Sequence, residues 1–215
     1  MSNTLALRMI SFCGFDLLAG FWVYPFTYIL NFIISDIYGY KYARRCMQAV
    51  IISSLFFILG ILLLLYLPVS QTWPSQQDFH SVFSRQLRVF VASLTGFSTS
   101  ILASSYMLQK IKKATQGRYL FVRLFLSLLI AELIDIIIFS FIGFWGIWSY
   151  SQMIEFIIIA YLTRLLYEVI LYPIVTKPLI RKIKNIEKVD IVDSNFDFNP
   201  LSLDVEYQAD NNLYK

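Results

Sequence analysis

Five apolar runs, each close to the roughly 20 residues that an α-helix needs to cross the hydrocarbon core of a bilayer, restrict this 215-residue chain more than any motif in it. They cover residues 17–38, 46–67, 89–108, 124–145 and 154–175. The second and third hold no charged residue, the first is interrupted by Pro25, the fourth carries Glu132 and Asp135, and the fifth carries Glu155, Arg164 and Glu168. Membrane strands would be shorter and would alternate in hydropathy, which these runs do not. With 58% hydrophobic and 15% charged residues, the chain is too apolar for a soluble domain of one core. The expected fold class is all-α integral membrane: a polytopic helical bundle with five predicted transmembrane helices.

The connections sort their charges. Lys41, Arg44 and Arg45 follow the first run, Lys110, Lys112, Lys113 and Arg118 the third, and Lys177, Arg181, Lys182, Lys184 and Lys188 the fifth, together twelve of the 18 basic residues. The second connection offers Arg85 and Arg88 at its far end, and the fourth, "GIWSYSQM", none. By the positive-inside rule the first and third connections and the C-terminus are cytoplasmic. Tyr24, Trp73, Trp145, Trp148 and Tyr150 then fall near the outer interface. The net charge of +4 calls for no nucleic acid, because the basic loops lie where anionic lipid headgroups are. A transmembrane domain over residues 1–188 is expected to give way at 189–215 to an acidic, disordered cytoplasmic tail with Asp190, Asp193, Asp197, Asp204, Glu206 and Asp210. Five spans with a cytoplasmic C-terminus place the N-terminus outside, and the first 20 residues hold neither a cleavable signal nor a full span, so a further helix upstream is expected.

Several chemistries find no support. One histidine, His80, and two cysteines, Cys13 and Cys46 at opposite ends of the first run, give no metal set and no disulfide. There is no GxxxxGK, Gly-x-Ser-x-Gly or HExxH pattern, so neither ATP hydrolysis nor membrane proteolysis is indicated, and no cofactor or enzyme activity is expected.

The stretch "YPFTYILNFIISDIYGYKYARR" (24–45) resembles the hallmark of the queuosine precursor transporter family, also called the vitamin uptake transporter family. "RVFVASLTGFSTS", "RLFLSLLIAELIDIIIFSFIGFWG" and "YLTRLLYEVILYPI" resemble three further blocks of it in the same order, so that the likeness runs from about Gly14 to Pro178. The resemblance implies a six-helix importer of the bacterial inner membrane that takes up 7-deazaguanine bases for queuosine salvage into tRNA, with one helix ahead of the block that here begins near Gly14. Polar positions of the family pattern fall on Phe32, Ile101, Ser104, Ala160 and Arg164, its intramembrane amide falls on Glu132, and its aspartate is kept as Asp135.

Glu132 and Asp135 lie near the middle of their run, about 60° apart on one helix face. Arg164 and Glu168 lie near mid-depth on the next run, so ionisable groups meet where secondary transporters bind solutes. One reading is a charge staple, with Arg164 forked onto Asp135 or Glu168. The other leaves a surplus acid, expected to be Glu132, to meet a ligand. A deazaguanine presents N1–H and an amino group to one carboxylate, and its faces call for aromatic walls. The candidate substrate-binding residues are Glu132, Asp135, Arg164, Asn31, Ser93, Phe97 and Ser100, with Tyr106, Phe139, Phe144 and Trp145 as further walls. Gly96, Ser100 and Ser104 also suit close helix packing. Pro25 suits a kink, and Asp36 with Arg44 and Arg45 a gate or anchor. Within transport, the chain can be a self-sufficient importer or the substrate-capturing subunit of an energy-coupling-factor importer; outside it, a membrane scaffold. A homo-oligomer or transport subunits are the partners considered besides lipid.

Overall fold

The computed structural model describes residues 5, 8–12, 15–68, 75–193 and 199–214. A short antiparallel hairpin, β1 (Met9–Phe12) and β2 (Phe15–Leu18), opens the chain with Met9 opposite Leu18. A 3₁₀ turn over Ala19–Trp22 leads to α1 (Tyr24–Tyr38), followed by α2 (Tyr40–Tyr66), α3 (Gln76–Ala114), α4 (Leu120–Phe144), α5 (Tyr150–Leu171) and, after a π-helical turn over Tyr172–Thr176, α6 (Lys177–Glu187).

The run 17–38 is therefore not one helix. Pro25 sits in the first turn of α1, where its missing N–H costs nothing, and it starts the helix instead of kinking it. The 15 residues of α1 rise only about 22 Å. Among the described residues, α2, α4 and residues 77–114 of α3 are long and apolar enough to cross a membrane; α1 is too short, and α5 carries Glu155, Arg164 and Glu168. The 39 residues of α3 rise about 58 Å, nearly twice a hydrocarbon core of about 30 Å. Its first turns extend the apolar run 89–108 at its N-terminal end through Arg85 and Arg88. Cys13 and Trp73 lie outside the described residues.

Helix α4 runs through the centre. Its Leu124, Leu128 and Ala131 pack with Tyr28, Phe32 and Ile37 of α1, Leu108 of α3 and Ile180 of α6. Farther along, Ile136 and Phe139 pack with Leu17 and Leu18 of β2, Val89 and Ala92 of α3, and Phe156 and Ala160 of α5. Glu132 and Asp135 fall in the gap between these two apolar layers. Helices α3 and α4 make the most extensive helix pair. Gly96 permits it: a Cβ there would stand 2.7 Å from Asp135 Oδ1 and 3.0 Å from the Asp135 carbonyl oxygen. The small-residue reading of this stretch accordingly holds at Gly96.

The two ends of the bundle are secured differently. At one, Arg88 of α3 donates to the carbonyls of Ile142 (2.9 Å) and Trp145 (2.5 Å), satisfying the last turn of α4. Ser149 and Gln152 then form a capping box at the start of α5. At the other end, the basic connections meet the tail. Of the stretch expected to be disordered, residues 189–193 and 199–214 make defined contacts with the helix ends, because the tail's acids meet unpaired helix donors and cations there. Asp193 accepts from the Tyr40 backbone N–H (3.0 Å) and from Tyr207 Oη (2.7 Å), and Tyr207 Oη in turn accepts from the Lys41 N–H (2.9 Å), so two tail side chains cap α2. Gly39 makes room for this: its φ is +87°, and a Cβ there would lie 2.5 Å from Tyr207 Oη. Burial pushes the Asp193 carboxyl above the usual aspartate range, and the hydrogen bond from Lys41 holds Asp204 below it.

Candidate functional site: a charged cluster and an adjoining cavity

The carboxylates of α4 and the guanidinium of α5 meet. Arg164 Nη1 donates to Glu132 Oε2 and to Asp135 Oδ2, each at 2.8 Å, and all three side chains are buried. A spacing of three on α4 aims both acids at the same point of α5, so one nitrogen serves both. Glu168 does not share the arginine. An arginine preceding a glutamate by four residues is the poorer orientation for a pair within a helix, and side chains lean toward the N-terminus, which carries Arg164 away from Glu168. Glu168 is nonetheless only 5% exposed and lies against the Glu132 carboxyl. The surplus acid is thus Glu168, where the sequence pointed to Glu132. Glu132 Oε1, Asp135 Oδ1 and Glu168 Oε1 are buried without a hydrogen-bond donor. The staple reading is correct in part: Asp135 is paired to Arg164, but Glu132 is too.

The ring of Tyr24 covers the guanidinium, with Arg164 Cζ 4.4 Å from its centroid. Tyr24 is buried rather than at the interface, and it stacks edge-on against Tyr28 (5.5 Å) and Phe97 (6.2 Å). On the other side of this aromatic wall lies a cavity of about 990 Å³ between α1, α2 and α3, at the upper end of the size range of ligand pockets. Tyr24, Thr27 and Asn31 of α1, Ser53 and Ser54 of α2, and Ser93 and Phe97 of α3 line it among aliphatic residues.

The sequence-predicted site is thereby split. Asn31, Ser93 and Phe97 face the cavity; Glu132, Asp135 and Arg164 form the cluster; Tyr24 belongs to both. Ser100 is fully buried and bonded to Tyr28 Oη at 2.6 Å, which makes it a fastener of α3 to α1 and not a lining residue. Asn31 reaches Ser105 at 3.5 Å. Phe139 and Phe144 pack in the apolar layer with Phe156, Tyr106 lies under Lys110, and Trp145 is half exposed, so none of the four is a cavity wall. Tyr24 was legible only as the aromatic before Pro25; nothing in the spacing announces that its ring meets Arg164 across 140 residues.

The expected Asp36, Arg44, Arg45 group is rearranged. Asp36 is fully buried and pairs with Arg123 of α4 (2.8 Å) and Lys184 of α6 (2.7 Å). Lys112 of α3 donates to the Asp36 and Ile191 carbonyls and pairs with Asp190. Arg44 holds the tail carbonyls of Asn199 (3.1 Å) and Asp204 (2.9 Å), while Arg45 bonds Gln48 at 3.3 Å. The break at Gly39 separates Asp36, facing the bundle, from Arg44, facing the tail.

Residues 18–177 match a family model described as "putative vitamin uptake transporter", which covers every element from the end of β2 to the start of α6. The chain belongs to the vitamin uptake transporter family. No curated protein and no solved structure matches it. As a member of that family with membrane-spanning helices, it is a multi-pass membrane protein whose substrate class is a small molecule. Among the described residues, no group of three histidine, cysteine or acidic side chains is arranged to hold a metal.

Proposed function

We propose that the protein imports a nucleobase-like solute, a 7-deazaguanine queuosine precursor, across the bacterial inner membrane, and that the cavity between α1, α2 and α3 receives it. The observation that carries this reading is the position of Tyr24, whose ring is at once a wall of the cavity and the cover of Arg164. A flat heterocycle fits against Phe97 and Tyr24, and the Asn31 amide and Ser93 hydroxyl offer a donor–acceptor pair and a hydroxyl to its edge. The buried ions behind Tyr24 supply the charged acceptor that N1–H and the amino group of such a base seek, once the ring of Tyr24 swings aside. In this reading α5 also crosses the bilayer, as does α1 together with the 3₁₀ turn ahead of it, giving five spans. Lys41, Lys113 and the tail face the cytoplasm, where twelve basic residues gather.

Uptake of radiolabelled 7-deazaguanine by bacteria that lack their own deazaguanine synthesis and express only this chain tests the proposal. Accumulation that falls on Asn31→Leu or Phe97→Ala substitution supports it. Accumulation that needs co-expressed ATPase subunits assigns the chain to the substrate-capturing class, and none under either condition refutes the substrate.

A further inference from the structure

Among the described residues, the membrane interior holds three carboxylates, Glu132, Asp135 and Glu168, around a single guanidinium. Arg164 is committed to the first two, at 2.8 Å each. Glu168 is left touching Glu132, and two like charges in contact away from water repel, a cost that a proton shared between them relieves. Tyr24 covers the arginine, and Tyr28 of α1 and Tyr161 of α5, whose hydroxyl bonds the Leu129 carbonyl, are further titratable groups near Glu132.

A second observation gives the proton somewhere to go. Glu168 lines a space of about 20 Å³, room for one water, that Tyr24 does not line. Phe32 of α1, Phe121 of α4, and Tyr172 and Thr176 of the π-helical turn line it as well, among aliphatic residues of α1, α4 and α5. The turn leads directly into α6, whose Lys184 joins Asp36 and Asp190 at the basic end of the bundle. Glu168 Oε1, buried and without a donor, is thus placed between the charged cluster and a water-sized space toward the basic end.

We propose that Glu168, sharing a proton with Glu132, is the proton-binding site of the transporter, and that it couples solute uptake to proton entry. A proton arriving from the cavity side is held by the Glu132–Glu168 pair while Arg164 keeps the cluster closed. It leaves from Glu168 into the water-sized space at the start of the π-helical turn. No bond other than O–H forms or breaks, and the proton that enters from one side is the proton released on the other.

The coupling half of this proposal rests on the uptake reading, and the experiment separates the two. Purified protein is titrated while the infrared C=O stretch of protonated carboxyl groups is recorded, without any solute. The same protein, reconstituted in liposomes, is given tritiated 7-deazaguanine with and without an inward-directed acid gradient. The expected results are a buried-carboxyl band at neutral pH that is lost in Glu168→Gln and kept, shifted, in Glu168→Asp. Acid-driven accumulation should fall at least tenfold in Glu168→Gln while exchange of internal for external base persists. A band unchanged in a folded Glu168→Gln protein overturns the proton site. Acid-driven accumulation unchanged in that variant overturns the coupling. Absence of any 7-deazaguanine movement in the parent protein refutes the substrate reading, and the infrared band then still decides the proton site.

Discussion

Because one nitrogen of Arg164 serves both Glu132 and Asp135, removing either acid should cost less than removing both, and the costs should not add. In Asp135→Asn, Arg164 keeps its 2.8 Å partner Glu132, so the loss is that of one charge-assisted hydrogen bond, about 1.5–3 kcal/mol. Glu132→Gln is equivalent by the same argument. The double variant takes both of these carboxylates from a buried guanidinium, a loss of the kind that costs about 3–5 kcal/mol beyond a single change. Adding Arg164→Gln removes the charge that has lost these two partners and should return much of the stability. At about 2–4 °C per kcal/mol for a chain of this size, the single variants should lower the melting temperature by about 3–12 °C, and the double variant by visibly more than their sum. Thermal unfolding of the detergent-purified proteins, followed by loss of a monodisperse chromatographic peak, measures this. A double variant no less stable than its worse single parent would refute the shared-arginine geometry, as would a triple variant less stable than the double.

Gly96→Ala forces a methyl group to within 2.7 Å of Asp135 Oδ1 and should destabilise the α3–α4 pair by about 1–3 kcal/mol, read as a lower melting temperature; Gly60→Ala, with nothing within 4 Å, serves as the control and should be neutral or stabilising. Asp193→Ala removes the cap on the Tyr40 N–H at the start of α2 and should cost about 1 kcal/mol, with faster protease cleavage within 199–214; unchanged cleavage would show that the cap does not hold the tail. A cysteine introduced at the exposed Lys113 should resist a membrane-impermeant thiol reagent applied to intact cells and react after lysis; labelling from outside would reverse the orientation.

Residue patterns alone fixed the membrane as the medium, the family, and the helices α2 and α4, because an uncharged or nearly uncharged apolar run has one way of satisfying its backbone in lipid. They also gave the meeting of α4 with Arg164, since a spacing of three sets a helix face whatever that face touches. Four things came only from the tertiary structure. Pro25 starts α1 where the hydropathy of 17–38 reads straight through it, because hydropathy does not register a missing N–H. Glu168 rather than Glu132 is the surplus acid, because side-chain direction and not sequence distance decides which carboxylate a given arginine reaches. The acidic tail finds its partners at the basic helix ends, capping α2 with Asp193 and Tyr207, where its own composition signalled disorder; composition counts the apolar area a segment can bury by itself, not the helix-end donors another segment holds out to it. And Tyr24, one ring between cavity and ions, takes its place from the packing of α1 against α5, a contact between residues 140 apart that no local period encodes.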